Sequence, residues 1–427
     1  MEKTGLLYLA YLEPYSCVRG FNYYASTGDV FDFWRDYNET IVDRELTYAQ
    51  RLGLNSARVF LDCDAYEHEP QAFLNRVKHF LRAANNRGIT VMPVIWASNQ
   101  CFKGTYDQKE KEWVLEPGIQ RVDPDFWPKG ERYCEDLVES LSAEPGLIMW
   151  DIMNEPLYPI IGRDWDSVLL RMRRDTPGSE TLVRKMWNYV HHFCKVMKKL
   201  DTEHRITVGV TRSRLGNIPT LQEIGPDIDV LSIHDYGPNR LSIREHIDDA
   251  LKFAQQFKKP VLISELGCLA RINPYDMALE ICQEVGIGWY LWELMIGTGY
   301  WRDVHGVVYP DGTVRDPSIV AAIRGFFRKR TGQTIAPALD KEHNATHALL
   351  LAKEWLGTAD ADYTEGLKIL EQIANLLEAG ELVPMNKPPS IKVLSLSERS
   401  PANRAELCRL LILWSETLSS YIKLQIP

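Results

Sequence analysis

Eight short runs rich in β-branched and aromatic residues, separated by helix-period stretches and loops, constrain this chain more than any other feature. The runs lie at residues 17–24, 56–62, 90–96, 147–154, 205–212, 230–236, 260–265 and 288–292. Between them come amphipathic stretches at 40–52, 71–87, 131–142, 180–200, 242–257 and 274–284, with a weaker one at 219–224. Parallel strands need a crossover long enough to hold a helix, so this alternation predicts a parallel sheet of βα units. Eight such units predict a TIM (β/α)8 barrel. Gly53 and Gly88 fall just past two helical stretches, where a left-handed C-terminal cap is expected.

Beyond the eighth run the chain passes through a Gly- and aromatic-rich loop at 296–303. An Asp311-Gly312 turn between β-rich flanks then reads as a hairpin at 307–314, and a last barrel helix is expected at 317–329. From about residue 333 the pattern changes to long amphipathic helices at 345–356, 364–377 and 402–423, broken by Pro384 and the Pro388-Pro389 pair. The expected organisation is a catalytic barrel over 1–330 with an accessory helical region over 331–427 packed on it. The Leu/Ile stripes of that region also offer a surface through which a homo-oligomer would form.

A net charge of −9 without a basic stripe argues against nucleic acid, whose binding needs a positive face. No apolar run approaches the ~20 residues needed to span a membrane. The first residues, Met-Glu-Lys-Thr-Gly-Leu-Leu, lack the positive start and small-residue cleavage site of an export signal, so the sequence as it stands reads as cytoplasmic. The 8 cysteines are scattered with no Cys-x-x-Cys pair, and free thiols are expected. Zinc-type spacing is absent, and neither a metal nor a cofactor is called for.

Two strings carry the chemistry. Trp-Asp-Ile-Met-Asn-Glu-Pro at 150–156 and Val-Leu-Ile-Ser-Glu-Leu-Gly at 261–267 are apolar runs that end on Glu155 and Glu265. As the fourth and seventh strands of one barrel, both would deliver a carboxylate to the C-terminal face, where barrel enzymes do their work. Either string alone is an ordinary strand end followed by turn residues. Together they fit glycoside hydrolysis with retention, which needs two carboxyls about 5–5.5 Å apart, one to protonate the leaving oxygen and one to attack the anomeric carbon. Asn154 is placed to bond a sugar 2-hydroxyl. Other strand ends add Asn22 and Tyr23, Arg58, Trp96, His234 and Tyr236, and Trp292. Arg58 is a candidate to stabilise the Glu265 carboxylate. His234 and Tyr236 share one face by strand period two, which sends Asp235 elsewhere. The long loop at 99–127 carries Phe102, Tyr106, Trp113 and Trp127, and that at 157–179 carries Tyr158 and Trp165. Such rings are good platforms for sugar C–H faces, with Trp113 counted among the substrate contacts.

On these residues the chain resembles glycoside hydrolase family 5 over about 15–330. Asn154-Glu155-Pro156 matches the family's acid/base motif, Glu265 its nucleophile, Arg58 its strand-two arginine, His234 and Tyr236 its strand-six pair, and Trp292 the tryptophan under the sugar. Many members carry a histidine at the end of strand three, where this sequence reads Trp96-Ala97-Ser98-Asn99. The opening Arg19-Gly20-Phe21-Asn22-Tyr23-Tyr24, the size and the helical tail look like subfamily 18. That resemblance implies an exo-acting β-mannosidase of short β-1,4-linked oligosaccharides such as mannosyl-N-acetylglucosamine. An endo-acting β-1,4-glucanase or mannanase with an open cleft stays open as an alternative, and a silent carbohydrate-binding barrel as a remote one.

Overall fold

The structure is a computed structural model that describes residues 12, 14–27, 32–101, 104–107, 112–115, 121–157, 179–213, 220–268, 273–297, 302, 304–327, 338–358, 361–379 and 400–425. The chain divides into two compact units, Met1–Phe327 and Arg328–Pro427.

In the first unit, eight strands close a parallel barrel: β1 (Arg19–Tyr23), β2 (Ser56–Phe60), β3 (Thr90–Ala97), β6 (Met149–Asn154), β7 (Arg205–Val210), β8 (Val230–Asp235), β9 (Val261–Leu266) and β10 (Trp289–Leu291), which returns to β1. All barrel pairings are parallel. The eight expected runs are these eight strands. Two further strands, β4 (Gly104–Asp107) and β5 (Glu112–Leu115), pair antiparallel in the long connection after β3, with Tyr106 opposite Trp113. The sequence reading had a loop there.

The helices form where polar caps meet apolar stripes. α1 (Glu39–Leu52) starts at Asn38, whose side chain accepts the Ile41 N–H, and ends at Gly53 with φ +85°. Asp62 caps α2 (Cys63–His68), a short helix that the periodicity did not reveal, and Pro70 opens α3 (Pro70–Asn85). The remaining layer is α4 (Trp127–Leu141), α5 (Ser179–Leu200), α6 (Thr220–Ile224), α7 (Arg240–Phe257), α8 (Tyr275–Val285) and α9 (Pro317–Ile323). α9 stops short of the expected residue 329, because Gly325 takes a left-handed φ of +80°. The expected hairpin at 307–314 is a tight turn with Gly312 at φ +87° and a single Val308–Val314 bridge.

Burial divides the strands by face. Outward side chains such as Ile152, Val208 and Ile263 pack against helix residues such as Leu46, Phe80 and Ile247 in one large apolar core. The barrel interior has its own small plug of Met92, Met149, Val230, Leu262 and Tyr290. Above the plug the inward residues turn polar, with Thr207 bonded to the Val230 carbonyl and Ser232 to Ser264. That polar floor supports the site.

The second unit is built from α10 (Ala338–Gly357), α11 (Tyr363–Ala379) and α12 (Pro401–Gln425) around Leu370, Ile373, Leu407, Leu410 and Leu411. Pro384, Pro388 and Pro389 lie outside the described residues. Among the described residues no helix is long and apolar enough to cross a membrane. All eight cysteines are unbridged.

Trp96 shows how the helix layer is held. Its ring is fully buried, 5.1 Å from the Tyr133 ring on α4 and 5.6 and 5.3 Å from those of Tyr189 and Phe193 on α5. Trp96→Ala is expected to cost about 3–5 kcal/mol, read from the denaturant midpoint of the barrel. A loss below about 1 kcal/mol would place the ring outside the load on that seam.

Candidate active site

The site grows from a fully buried arginine. Arg58, on β2 inside the barrel, donates from Nε to Asp151 Oδ2 at 2.9 Å, from Nη1 to Asn22 Oδ1 at 2.9 Å and Glu265 Oε1 at 2.6 Å, and from Nη2 to Asn154 Oδ1 at 2.9 Å. Its Nη2 also lies 2.8 Å from Asp151 Oδ2. Burial works against the guanidinium charge, but Asp151 and Glu265 outweigh it, and Arg58 holds its proton more tightly than an ordinary arginine. Two strands that never touch in the sheet, β6 and β9, are thereby tied to a third.

Glu265 is clamped on both oxygens. Arg58 takes Oε1, and the Tyr236 hydroxyl donates to Oε2 at 2.7 Å. His234 Nδ1 stands 2.7 Å from Glu155 Oε1 and 3.3 Å from Glu265 Oε2, between the two carboxylates. One carboxylate oxygen of each glutamate and a His234 ring nitrogen all lie within 4.8 Å of one another. The two carboxylates thus share one small site with the imidazole between them. The same three donors have a spacing that a divalent cation could use, but the fixed charge of Arg58 beside Glu265 opposes one. Asp235 points away, accepting from Gly237 N and bonding His246.

Backbone irregularities bring these side chains inward. β6 shifts register against β7 between Asp151 and Asn154, so both residues reach Arg58 although strand parity would separate them. β9 shifts similarly against β8, where His234 pairs with Glu265. Glu155 leaves the strand at φ +47°, left-handed for a non-glycine residue, with its N–H on the Gly209 carbonyl at 2.7 Å.

The expected residues separate into groups. Glu155, Glu265, Arg58, Asn154, His234 and Tyr236 come together as described. Asn22 joins them through its oxygen, but its NH2 is spent on the Ser264 and Leu291 carbonyls, so it holds Arg58 and does not face a ligand. Trp292 is half-buried beside Tyr24 and Phe60. Two expectations are corrected. Tyr23 points outward from the barrel, fully buried, with its hydroxyl donating to Glu45 on α1. Trp96 belongs to the core seam between β3 and helices α4 and α5. Strand parity puts Tyr23 on the helix face, opposite the inward Asn22, whereas Trp96 turns to that face although it lies an even step from Met92 of the barrel interior. Trp113 lies in β5, and its side chain is outside the described residues, as are Phe102, Tyr158 and Trp165.

Sequence reasoning missed Asp151, Gly209, Glu293 and Arg302. The signal for Asp151 was an acidic residue inside an apolar strand. Gly209 has no room for a side chain: a Cβ there would lie 2.7 Å from His234 Nε2, 2.9 Å from Arg58 Nη2 and 3.1 Å from Asp151 Oδ2. Glu293, directly after Trp292, is 1% exposed and pairs at 3.4 Å with Arg302, which also donates to the Tyr24 and Ala25 carbonyls. Burial pushes the Glu293 carboxyl up to about 7; Arg302 pulls against that, and the charge of Glu265 adds to it.

A closed parallel barrel carrying paired glutamates at the C-terminal ends of its fourth and seventh strands defines a class, the barrel glycoside hydrolases. The family model described as Cellulase (glycosyl hydrolase family 5) matches residues 22–297, and the chain belongs to that family. No curated protein matches its sequence. Among solved structures it is similar to a family 5 subfamily 18 protein from Streptomyces cattleya in complex with Manβ1-4GlcNAc, at 17% identity and TM-score 0.55, covering 74% of this chain and 81% of that one. It is also similar to the exo-β-1,4-mannosidase Op5Man5 from Opitutaceae bacterium strain TAV5, at 19% identity and TM-score 0.51, covering 78% and 67%. A third likeness is to the endo-1,4-β-mannanase of Rhizomucor miehei, at 15% identity and TM-score 0.51, covering 72% and 92%.

Glu293 gives a stability signature. With its folded-state pKa raised from 4.5 to about 7, the unfolded chain releases this proton first, so stability falls as pH climbs through that window and levels off above it. Glu293→Gln removes the ionisation. Melting temperatures recorded from pH 4.5 to 7.5 should fall less in Glu293→Gln than in the wild type, whereas parallel curves would show that Glu293 is already charged throughout.

Proposed function

We propose that this family 5 glycoside hydrolase is a retaining enzyme, an exo-acting β-mannosidase that cleaves short β-1,4-linked mannosides such as mannosyl-N-acetylglucosamine. The observation that carries the retaining mechanism is the 4.8 Å cluster of Glu155, His234 and Glu265, with both Glu265 oxygens hydrogen-bonded. Glu265 attacks the anomeric carbon while Glu155 gives a proton to the departing oxygen. Water, deprotonated by Glu155, then breaks the glycosyl-enzyme ester, and the β-configuration is kept. Arg58 and Tyr236 hold Glu265 in line during attack and receive its returning charge when the ester breaks. Asn154 has its oxygen committed to Arg58, which leaves its NH2 as the donor for the sugar 2-hydroxyl.

The mannoside reading draws on two likenesses, to the Streptomyces cattleya protein with its Manβ1-4GlcNAc and to the exo-β-1,4-mannosidase. The likeness to an endo-mannanase keeps action on polysaccharide as the second reading. An intact pair of glutamates disfavours a silent binding barrel.

Nuclear magnetic resonance of the first-formed product should show the β-anomer. Glu265→Ala should abolish glycosylation for every substrate, while Glu155→Ala should lose about 10²–10⁴-fold on poor leaving groups and little on dinitrophenyl glycosides. Azide should restore the latter variant. An initial α-anomer, or equal losses in both variants on an activated substrate, would contradict the assignment.

Exo action should release mannose from Manβ1-4GlcNAc and leave mannan viscosity nearly unchanged. A rapid drop in viscosity before monosaccharide accumulates would favour the endo reading.

A further inference from the structure

Asp151 is a buried carboxylate that the chemistry above does not use. It is fully buried in mid-strand, four residues before Glu155, and both of its oxygens accept from other strands. Oδ2 takes Arg58 Nε and Nη2 at 2.9 and 2.8 Å; Oδ1 takes the Gly209 N–H at 3.1 Å. Each contact leads to one half of the catalytic pair. Through Arg58 it reaches Glu265 at 2.6 Å and Asn154 at 2.9 Å. Through the Gly209 peptide it reaches Glu155, whose N–H bonds the Gly209 carbonyl at 2.7 Å.

We propose that Asp151 is the positioning residue that sets the separation of Glu155 and Glu265, holding the guanidinium on one side and the β7 backbone on the other. This rests on the reading of the two glutamates as the reacting pair, not on the identity of the sugar. The geometry makes an alternative hard to build. A guanidinium turned about its stem would lose either Glu265 or Asn154, and Asp151 gripping Nε and Nη2 together removes that freedom. The missing side chain at Gly209 lets the backbone sit within reach of Asp151, Arg58 and His234 together. The carboxylate also offers only acceptors, to three N–H groups that are all donors.

The last point supplies the test. Asp151→Asn has the same shape, but its NH2 must face either Arg58 or the Gly209 N–H, donor against donor, so one arm of the network breaks whichever way the amide turns. Kinetics are run on whichever β-glycoside the wild type turns over. The expected result is a kcat lowered about 10²-fold with KM changed less than about threefold, since the substrate contacts stay but the reacting groups are misplaced. In a double-mutant cycle with Arg58→Lys, the double variant should be little worse than the poorer single one.

A KM effect with kcat retained, or penalties that multiply in the cycle, would overturn the proposal. Should Arg58→Lys be insoluble, the kcat and KM split decides alone. Should Asp151→Asn be insoluble, Asp151→Ser, which keeps an acceptor and gives up the charge, takes its place; if neither folds, Asp151 is a requirement of the core and the proposal falls. An inverted product from the wild type would sink the role of Glu265 without touching this outcome, so the two failures are separable.

Discussion

The buried guanidinium of Arg58 is the contact on which the site depends. An unpaired charge in a barrel interior is prohibitively costly, and a paired one still gives up several kcal/mol of hydration. Here the charge is met by two carboxylates and two amide oxygens, drawn from β1, β6 and the end of β9. Replacing it with an apolar side chain of similar size would leave Asp151 and Glu265 as buried carboxylates without the cation they share. The glycine at 209 belongs to the same arrangement, since a Cβ there would lie 2.9 Å from Arg58 Nη2.

The fold was legible because periodicity reports burial on the strand and helix faces, and a barrel makes burial regular. All eight strands and the larger helices followed from it. What escaped was local. The strands of the β4–β5 pair, at 4 residues each, and the 6-residue α2 are too short to show a period, and α9 ends early at a glycine with a left-handed backbone.

The site was legible by type and less so by direction. Glu155, Glu265, Arg58, His234 and Tyr236 announced themselves as polar residues where apolar runs end. Tyr23 and Trp96 satisfied the same rule and point to the helix layer, because a strand end has two faces. Counting by twos would also have failed at Asp151 and Asn154, which reach one arginine only through a register shift. Asn22 shows a subtler limit: its place was readable, but whether its amide serves the ligand or the arginine depends on carbonyls from strands far away in sequence.

The left-handed backbone of Glu155 has a cost that burial and pairing do not reveal. A side chain at φ +47° sits where only glycine and a few short polar residues are comfortable, and such positions store of order 1–3 kcal/mol. A chain optimised for durability alone would put glycine there. With Glu155 as the proposed acid/base, this chain carries a standing conflict between endurance and turnover, and substitutions that relieve it should make a sturdier protein and a poorer catalyst.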